Sequence, residues 1–234
     1  MGKKVATGIF IFSSCYVSGP GSESLKISRE MDEKNYTGAI PGQQKGDVIT
    51  AESTCTFVGP EEAIGFFNLA KSRLLHVNGW QERAGKALAR FTLTDADGHP
   101  VPGAAREGLL ICIDIPGPGG EQAGGYDWVK IEEIKEADSG NVQSVALRVR
   151  PVAAPHSSGA EPTHFYAQTS TSTFTVTREH ARVTAAVYDR NIEPNTETGS
   201  LIDKVRNAIV GFFAEKAFSK LQWQSLTDGL MELS

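Results

Sequence analysis

Residues 48–80 read VITAESTCTFVGPEEAIGFFNLAKSRLLHVNGW, and this stretch decides the architecture. Its first part, taken from Asp47, alternates in part between apolar and polar residues and stops at Gly59-Pro60, which predicts a strand over 47–58. Pro60-Glu61-Glu62 then opens a helix. Proline suits the first helical position, and early acids complement the positive end of the helix dipole. Ala63, Phe66, Phe67, Ala70, Leu74 and Val77 recur at helical spacing, Asn78-Gly79 ends the run, and Trp80 follows at once.

Upstream, Lys3-Lys4 precede a short apolar run, Val5 to Phe12, and then Ser13-Ser14-Cys15. Residues 4–14 read as a first strand. Two lysines, an apolar run and small residues before a cysteine also fit a processed lipoprotein signal, so a lipid-anchored or exported protein is the alternative to a cytoplasmic one. The run is too short to span a bilayer. Downstream the signal is β, over 87–94, 108–115, 126–134, 143–150, 164–177 and 182–189. The connections leave no room for helical crossovers, which predicts an antiparallel meander. The glycine-rich segment 115–125 fits no phosphate-loop spacing and precedes a strand, so it reads as a hairpin loop, with a lid over a cavity mouth as the functional alternative. Arg178-Glu-His-Ala181 joins the last two strands. Ser200 then looks like an N-cap for a long helix whose apolar stripe runs through Leu201, Val205, Ile209, Phe212 and Phe213 to Phe218 and Leu221. A straight helix over 200–231 would be about 48 Å long, more than a compact domain accommodates, so a break is expected near Gly211 or Ser219.

With 234 residues, 40% of them hydrophobic, the chain can build a core without metals or cross-links. The net charge of −5 argues against nucleic-acid binding. Cys15, Cys55 and Cys112 form no CxxC pair, and their odd number reads as three buried, reduced thiols, which favours a reducing compartment. The five histidines show no metal-ligand spacing, and no nucleophile elbow occurs, so neither a metal nor a cofactor is expected.

The matching of Pro60, Glu61, Glu62 and Trp80, followed by a meander and a long C-terminal helix, resembles the opening and element order of START-like helix-grip proteins, the polyketide-cyclase or Bet v 1-like superfamily. The resemblance covers residues 48–231 in element order and is specific only over 48–80. Stretches such as Ile113–Gly119, Gly125–Val129 and Phe218–Trp223 also resemble uncharacterised bacterial proteins. It implies an α+β fold in which a curved antiparallel sheet wraps a long C-terminal helix, with residues 1–46 as an N-terminal β extension and 47–234 as the core of a single domain. It also implies a cavity between sheet and helix for lipids or other apolar molecules. In some members that cavity serves cyclisation or hydrolysis.

Strand parity places His164, Tyr166 and Gln168 on one face, together with Phe174 and Val176, so this polar row extends a core face and could orient a ligand. Arg148 and Arg150 have the opposite parity to Val145, Leu147 and Val149 and read as outward. Asp189-Arg190 at a strand end reads as a loop-fixing pair. The expected ligand-binding set is His164, Tyr166, Gln168, Tyr188, Phe212 and Trp223, with no catalytic residue committed. The leading expectation is a binder of an apolar or amphipathic small molecule. A cyclase- or hydrolase-type enzyme, in which His164, Tyr166 and Asp189 are the groups to check, is the first alternative. An interaction module with a filled core, which could form oligomers through its N-terminal extension, is the second.

Overall fold

The structure, a computed structural model, describes residues 33–85, 89–114, 126–155, 169–193 and 219–233 in full and the backbone of 9–16. Among the described residues eight strands form one sheet: β1 (Ile9–Tyr16), β2 (Asp47–Thr56), β3 (Arg90–Thr94), β4 (Leu110–Asp114), β5 (Tyr126–Asp138), β6 (Val142–Pro151), β7 (Thr171–Glu179) and β8 (Arg182–Ile192), in the order β1-β2-β8-β7-β6-β5-β4-β3. Every pairing from β2 to β3 across the sheet is antiparallel, as the meander predicts. β1 differs: it runs parallel to β2, because it reaches the sheet edge from a separate stretch rather than through a hairpin.

Helix α1 (Pro60–Leu75) has proline at its start and Glu61 and Glu62 in its first turn. It stops two residues earlier than its apolar spacing suggests. A 3₁₀ turn (Val77–Gly79) and a short helix α2 (Trp80–Ala84) follow, and neither was read from the sequence. The Trp80 indole N–H donates to the Leu74 carbonyl at 3.0 Å, satisfying an orphan acceptor at the end of α1. This corner carries the chain from one end of the sheet to β3 at the other.

The sheet has an inner and an outer face, and parity sorts them. Val145, Leu147, Val149, Phe174, Val176, Val183, Ala185 and Val187 point inward and join Phe66, Phe67, Ala70 and Leu74 of α1 in one core cluster. The C-terminal helix α3 is described over residues 219–230 and packs on the same side, through Leu226, Leu230 and Met231. The expected stripe from Leu201 to Leu221 therefore meets the sheet differently where it is described. Leu221 is 57% exposed, and the buried face runs through Gln222, Leu226 and Leu230 at i, i+4 spacing. The expected break near Gly211, together with Phe212, lies outside the described residues.

Two further readings are corrected. Cys55 is disulfide-bonded, Cys112 is free, and the backbone register sets Cys15 opposite Cys55. Three thiols are thus not all reduced; an odd count leaves room for one bridge, and the bridge removes the argument for a reducing compartment. Asp189 and Arg190 do not pair as a loop clasp, because successive strand residues point to opposite faces. Arg190 lies outside, bonded to Glu33 and stacked 5.3 Å from the Tyr188 ring centroid, whereas Asp189 lies inside. Arg148 and Arg150 are outward as expected, and both bind Glu132.

Residues 33–46 are not strand. They cross the outer face as a strap. Ile40 packs on Ala186 and Tyr188, Arg148 donates to the Ala39 carbonyl at 2.9 Å, and the Asn191 side-chain oxygen accepts from Gln44 N–H at 2.7 Å. Gly46 ends the strap at a φ of +74°, and a Cβ there would lie 2.4 Å from the Ile192 carbonyl oxygen, so only glycine fits. Lys34, Tyr36 and Arg182 converge on Glu179. Burial alone would raise the Glu179 carboxyl, but the hydrogen bonds from Lys34 and Tyr36 and the neighbouring cations outweigh it and hold it at about 2. Because that lies below the ordinary 4.5, the contribution to stability is present above pH 4.5 and fades as pH falls towards 2. Glu179→Gln should cost about 1 kcal/mol at neutral pH in urea unfolding. The two proteins should converge in stability as the pH approaches the wild-type carboxyl's own titration.

Candidate functional site

The inner face is floored by aromatic rings. Trp80, 1% exposed, meets Phe174 at 4.7 Å between centroids and Phe91 at 5.2 Å. Trp223 of α3 closes the set from above, edge-on to Phe174 at 5.1 Å and 6.2 Å from Phe91. Such tilted and edge-to-face contacts are the preferred aromatic geometries. Between these rings and Ile111, Ile113, Val129 and Val149 lies a void of about 30 Å³, whose wall carries the Ser172 hydroxyl and the indoles of Trp80 and Trp223 as its polar groups.

Behind that polar corner stands Asp189, 2% exposed, on the inward parity of Val183, Ala185 and Val187. Trp223 donates its indole N–H to Asp189 Oδ2 at 2.8 Å, and the register sets Ser172 of β7 beside Asp189. Asp189 Oδ1 is buried without a hydrogen-bond partner. Burial pushes the carboxyl up to about 6 against the opposing pull of Ser172, Trp223 and Arg190. Asp127, on the parity of Val129 and Ile131 near the far end of the sheet, is likewise raised to about 6 by burial.

Of the six residues expected to bind a ligand, Trp223 reaches this void. Tyr188 does not: it lies on the outer face beneath the strap, where its hydroxyl oxygen accepts the Lys34 backbone N–H at 3.3 Å. His164, Tyr166, Gln168 and Phe212 lie outside the described residues. Ser172 and Asp189 were not in the set. The alternation Val183, Ala185, Val187 carried the signal for Asp189, since the next residue of that parity is 189.

Elsewhere the described residues hold other polar groupings. Ser53 donates to Asp228 Oδ1 at 2.6 Å, and Gln224 Nε2 donates to the Glu52 carbonyl at 3.2 Å, which ties α3 to β2. The groove beside them, about 500 Å³, is open and walled by Arg83, Asp228 and Glu232 at the helix ends. Asp95, Asp97 and His99 bring potential ligand atoms within 4.8 Å of one another, but on a surface turn where Asp95 caps the backbone N–H groups of Asp97 and His99. The Cys112 thiol is raised to about 11, by burial first and then by Asp114, which makes it a poor nucleophile.

The fold is α+β: among the described residues a curved sheet of seven antiparallel strands, with β1 parallel at its edge, packs with three helices, the last near the C-terminus. No protein-family model and no curated protein matches the chain. Among solved structures it is similar to a hypothetical protein, jhp0584, from Helicobacter pylori, at 15% identity over 89% of this chain and 98% of that one, with a TM-score of 0.44. Ara h 8.0201 is similar at 14% identity over 77% of this chain and 99% of that one, with a TM-score of 0.30. The ginseng major latex-like protein 151 from Panax ginseng is similar at 12% identity over 74% and 97%, with a TM-score of 0.31. These likenesses are too distant to carry an argument about activity. Among the described residues no helix is long and apolar enough to cross a membrane.

Proposed function

We propose that this protein binds an apolar or amphipathic small molecule between the inner face of the sheet and the C-terminal helix. One observation carries the reading: an apolar void, roofed by Trp223, ends in a polar corner built on a buried carboxylate. Ligand sites combine mostly apolar walls with a few convergent polar groups in this way. A volume of about 30 Å³ admits a water but not a lipid tail, so a larger occupant must part Trp223 from Phe91 and Phe174.

Native mass spectrometry of the gently purified chain should show a co-purified apolar adduct. Titration of the stripped protein with apolar probes should give a saturable change in tryptophan fluorescence that Trp223→Phe reduces, Trp80 supplying the rest. Neither an adduct nor a saturable response would sink the reading.

A second reading, cyclase- or hydrolase-type catalysis in the same cavity, is favoured by the Asp189 carboxyl at about 6, where a group can act as acid and as base. Turnover of model esters that follows the Asp189 titration and disappears in Asp189→Asn would support it.

A further inference from the structure

Resting on the cavity reading above, we propose that the Trp223 indole is the gate of the void and Asp189 its latch: the cavity opens when the indole turns out of its hydrogen bond with Asp189, while helix α3 stays where it is.

The walls of the void differ in how firmly they are held. Trp80, Phe91, Ile111, Val149 and Phe174 are each at most 3% exposed. Trp80 is fixed further by its own indole N–H, which donates to the Leu74 carbonyl at 3.0 Å. Ile113, Val129 and Ser172 are half-buried, but they stand on paired strands of the sheet. Trp223 comes from α3 instead. It too is half-buried, and its polar tie is one hydrogen bond, to Asp189 Oδ2 at 2.8 Å. A void of about 30 Å³ holds a water and nothing larger, so any larger occupant must move a wall. Trp223 is the wall that yields with the least loss of packing.

The backbone on either side of Trp223 does not share that freedom. The Gln222 side-chain oxygen accepts the Ala89 N–H at 2.7 Å, and Gln224 Nε2 donates to the Glu52 carbonyl at 3.2 Å. Both glutamines are buried. Swinging α3 outward would break both bonds and strand buried polar groups, whereas turning the indole breaks one. Asp189 sets the cost of that turn. It is 2% exposed and its Oδ1 already lacks a partner, so losing the indole deepens a shortage of donors at a buried carboxylate, and the closed position is favoured. Asp189 does not line the void. It acts through Trp223, as a positioning residue that sets how often the gate stands open.

Two measurements on the full chain, with toluene as an apolar probe larger than water, test the gate and the latch. The chain has three tryptophans, and their indole N–H resonances in an isotope-labelled sample are assigned with Trp80→Phe, Trp128→Phe and Trp223→Phe. Saturating toluene should shift the Trp223 resonance and speed its exchange with solvent, leaving the Trp80 resonance and the backbone amides of α3 as protected as before. In stopped-flow fluorescence toluene should enter Asp189→Leu, which offers no acceptor, about tenfold or more faster than the wild type. Asp189→Asn, whose amide oxygen still accepts the indole N–H, should return towards the wild-type rate. Should Asp189→Leu fail to fold, judged by circular dichroism, Trp223→Phe takes its place, since it keeps a ring but has no N–H to latch, and the same acceleration is expected with Trp80 as the reporter. Toluene bound with the Trp223 indole unmoved, or with the α3 amides losing protection, overturns the gate. Equal entry rates in the wild type and the unlatched variant overturn the latch. Each of these results leaves the cavity reading standing. If toluene does not bind at all, the cavity reading fails and takes this inference with it.

Discussion

Gly229→Val should lower the unfolding free energy by about 3 kcal/mol or more and loosen the C-terminal helix from the rest of the fold. Gly229 sits in α3 where the helix backs directly onto α2. A Cβ at this position would lie 2.3 Å from the Arg83 carbonyl oxygen and 2.6 Å from its carbon. These are backbone atoms, so no side chain can swing aside. Glycine inside a helix costs about 1 kcal/mol relative to alanine, so propensity alone would favour a substitution here. The overlap is larger and reverses the sign; even Gly229→Ala should destabilise, by about 2 kcal/mol.

The cost spreads because α3 is clamped on both sides of Gly229. Leu226 and Leu230 are almost completely buried, and Arg73 Nη1 donates to the carbonyls of Leu230 and Glu232 at 3.0 and 2.7 Å. Arg73 is itself buried, and its guanidinium is lowered from its usual value first by desolvation, so displacing α3 would leave a buried cation short of acceptors. Urea unfolding monitored by fluorescence measures the effect. The tryptophan emission of the folded variant should also shift to the red, since Trp223 stands on the helix that moves. Unfolding curves that superpose on the wild type would show that the close approach of α2 and α3 is not a constraint.

That contact was invisible in the sequence, and the reason is instructive. The helix reads straight through Gly229 to residue 231, and nothing local reveals that another backbone lies against that glycine. By contrast, the elements governed by local periodicity were legible. The Pro60-Glu61-Glu62 start, the inward parity of Val145, Leu147 and Val149 and the outward Arg148 and Arg150 all follow from spacing along one element. What spacing cannot supply is which distant residue completes a site. The Trp223–Asp189 hydrogen bond joins positions 34 residues apart in sequence, and Ser172 comes beside Asp189 only through the register that pairs β7 with β8. Asp189 and Arg190, adjacent in sequence, read as a pair, although strand alternation sends them to opposite faces. The strap over the outer face was missed for a similar reason: residues 33–46 have no periodicity, and their order comes from side chains on β6, β7 and β8.

The second large effect is electrostatic and has the opposite sign to the acid sensitivity set by Glu179. Asp189 is raised from 3.8 to about 6 by burial, so the folded state holds its proton more tightly than the unfolded chain does. A raised carboxyl contributes its stabilisation in full below pH 3.8 and loses it as pH rises through about 6. The ionised form above that range carries a charge with one unpartnered oxygen in an apolar interior. A shift of this size corresponds to about 3 kcal/mol, the difference in stability that the group imposes between mildly acid and mildly alkaline solution. Asp189→Asn keeps the shape and the acceptor for Trp223 and removes the charge. It should be more stable than the wild type by up to about 3 kcal/mol in mildly alkaline solution and close to it near the ordinary carboxylate range. Asp127 is raised in the same direction, so the wild-type profile contains both groups, and the difference between the wild type and Asp189→Asn isolates one of them. Chemical unfolding across this pH range gives that difference directly. A variant that is less stable than the wild type at every pH would mean that the Trp223 hydrogen bond outweighs the burial of the charge. The Asp189 carboxylate would then be a structural anchor that holds α3 to the sheet through Trp223.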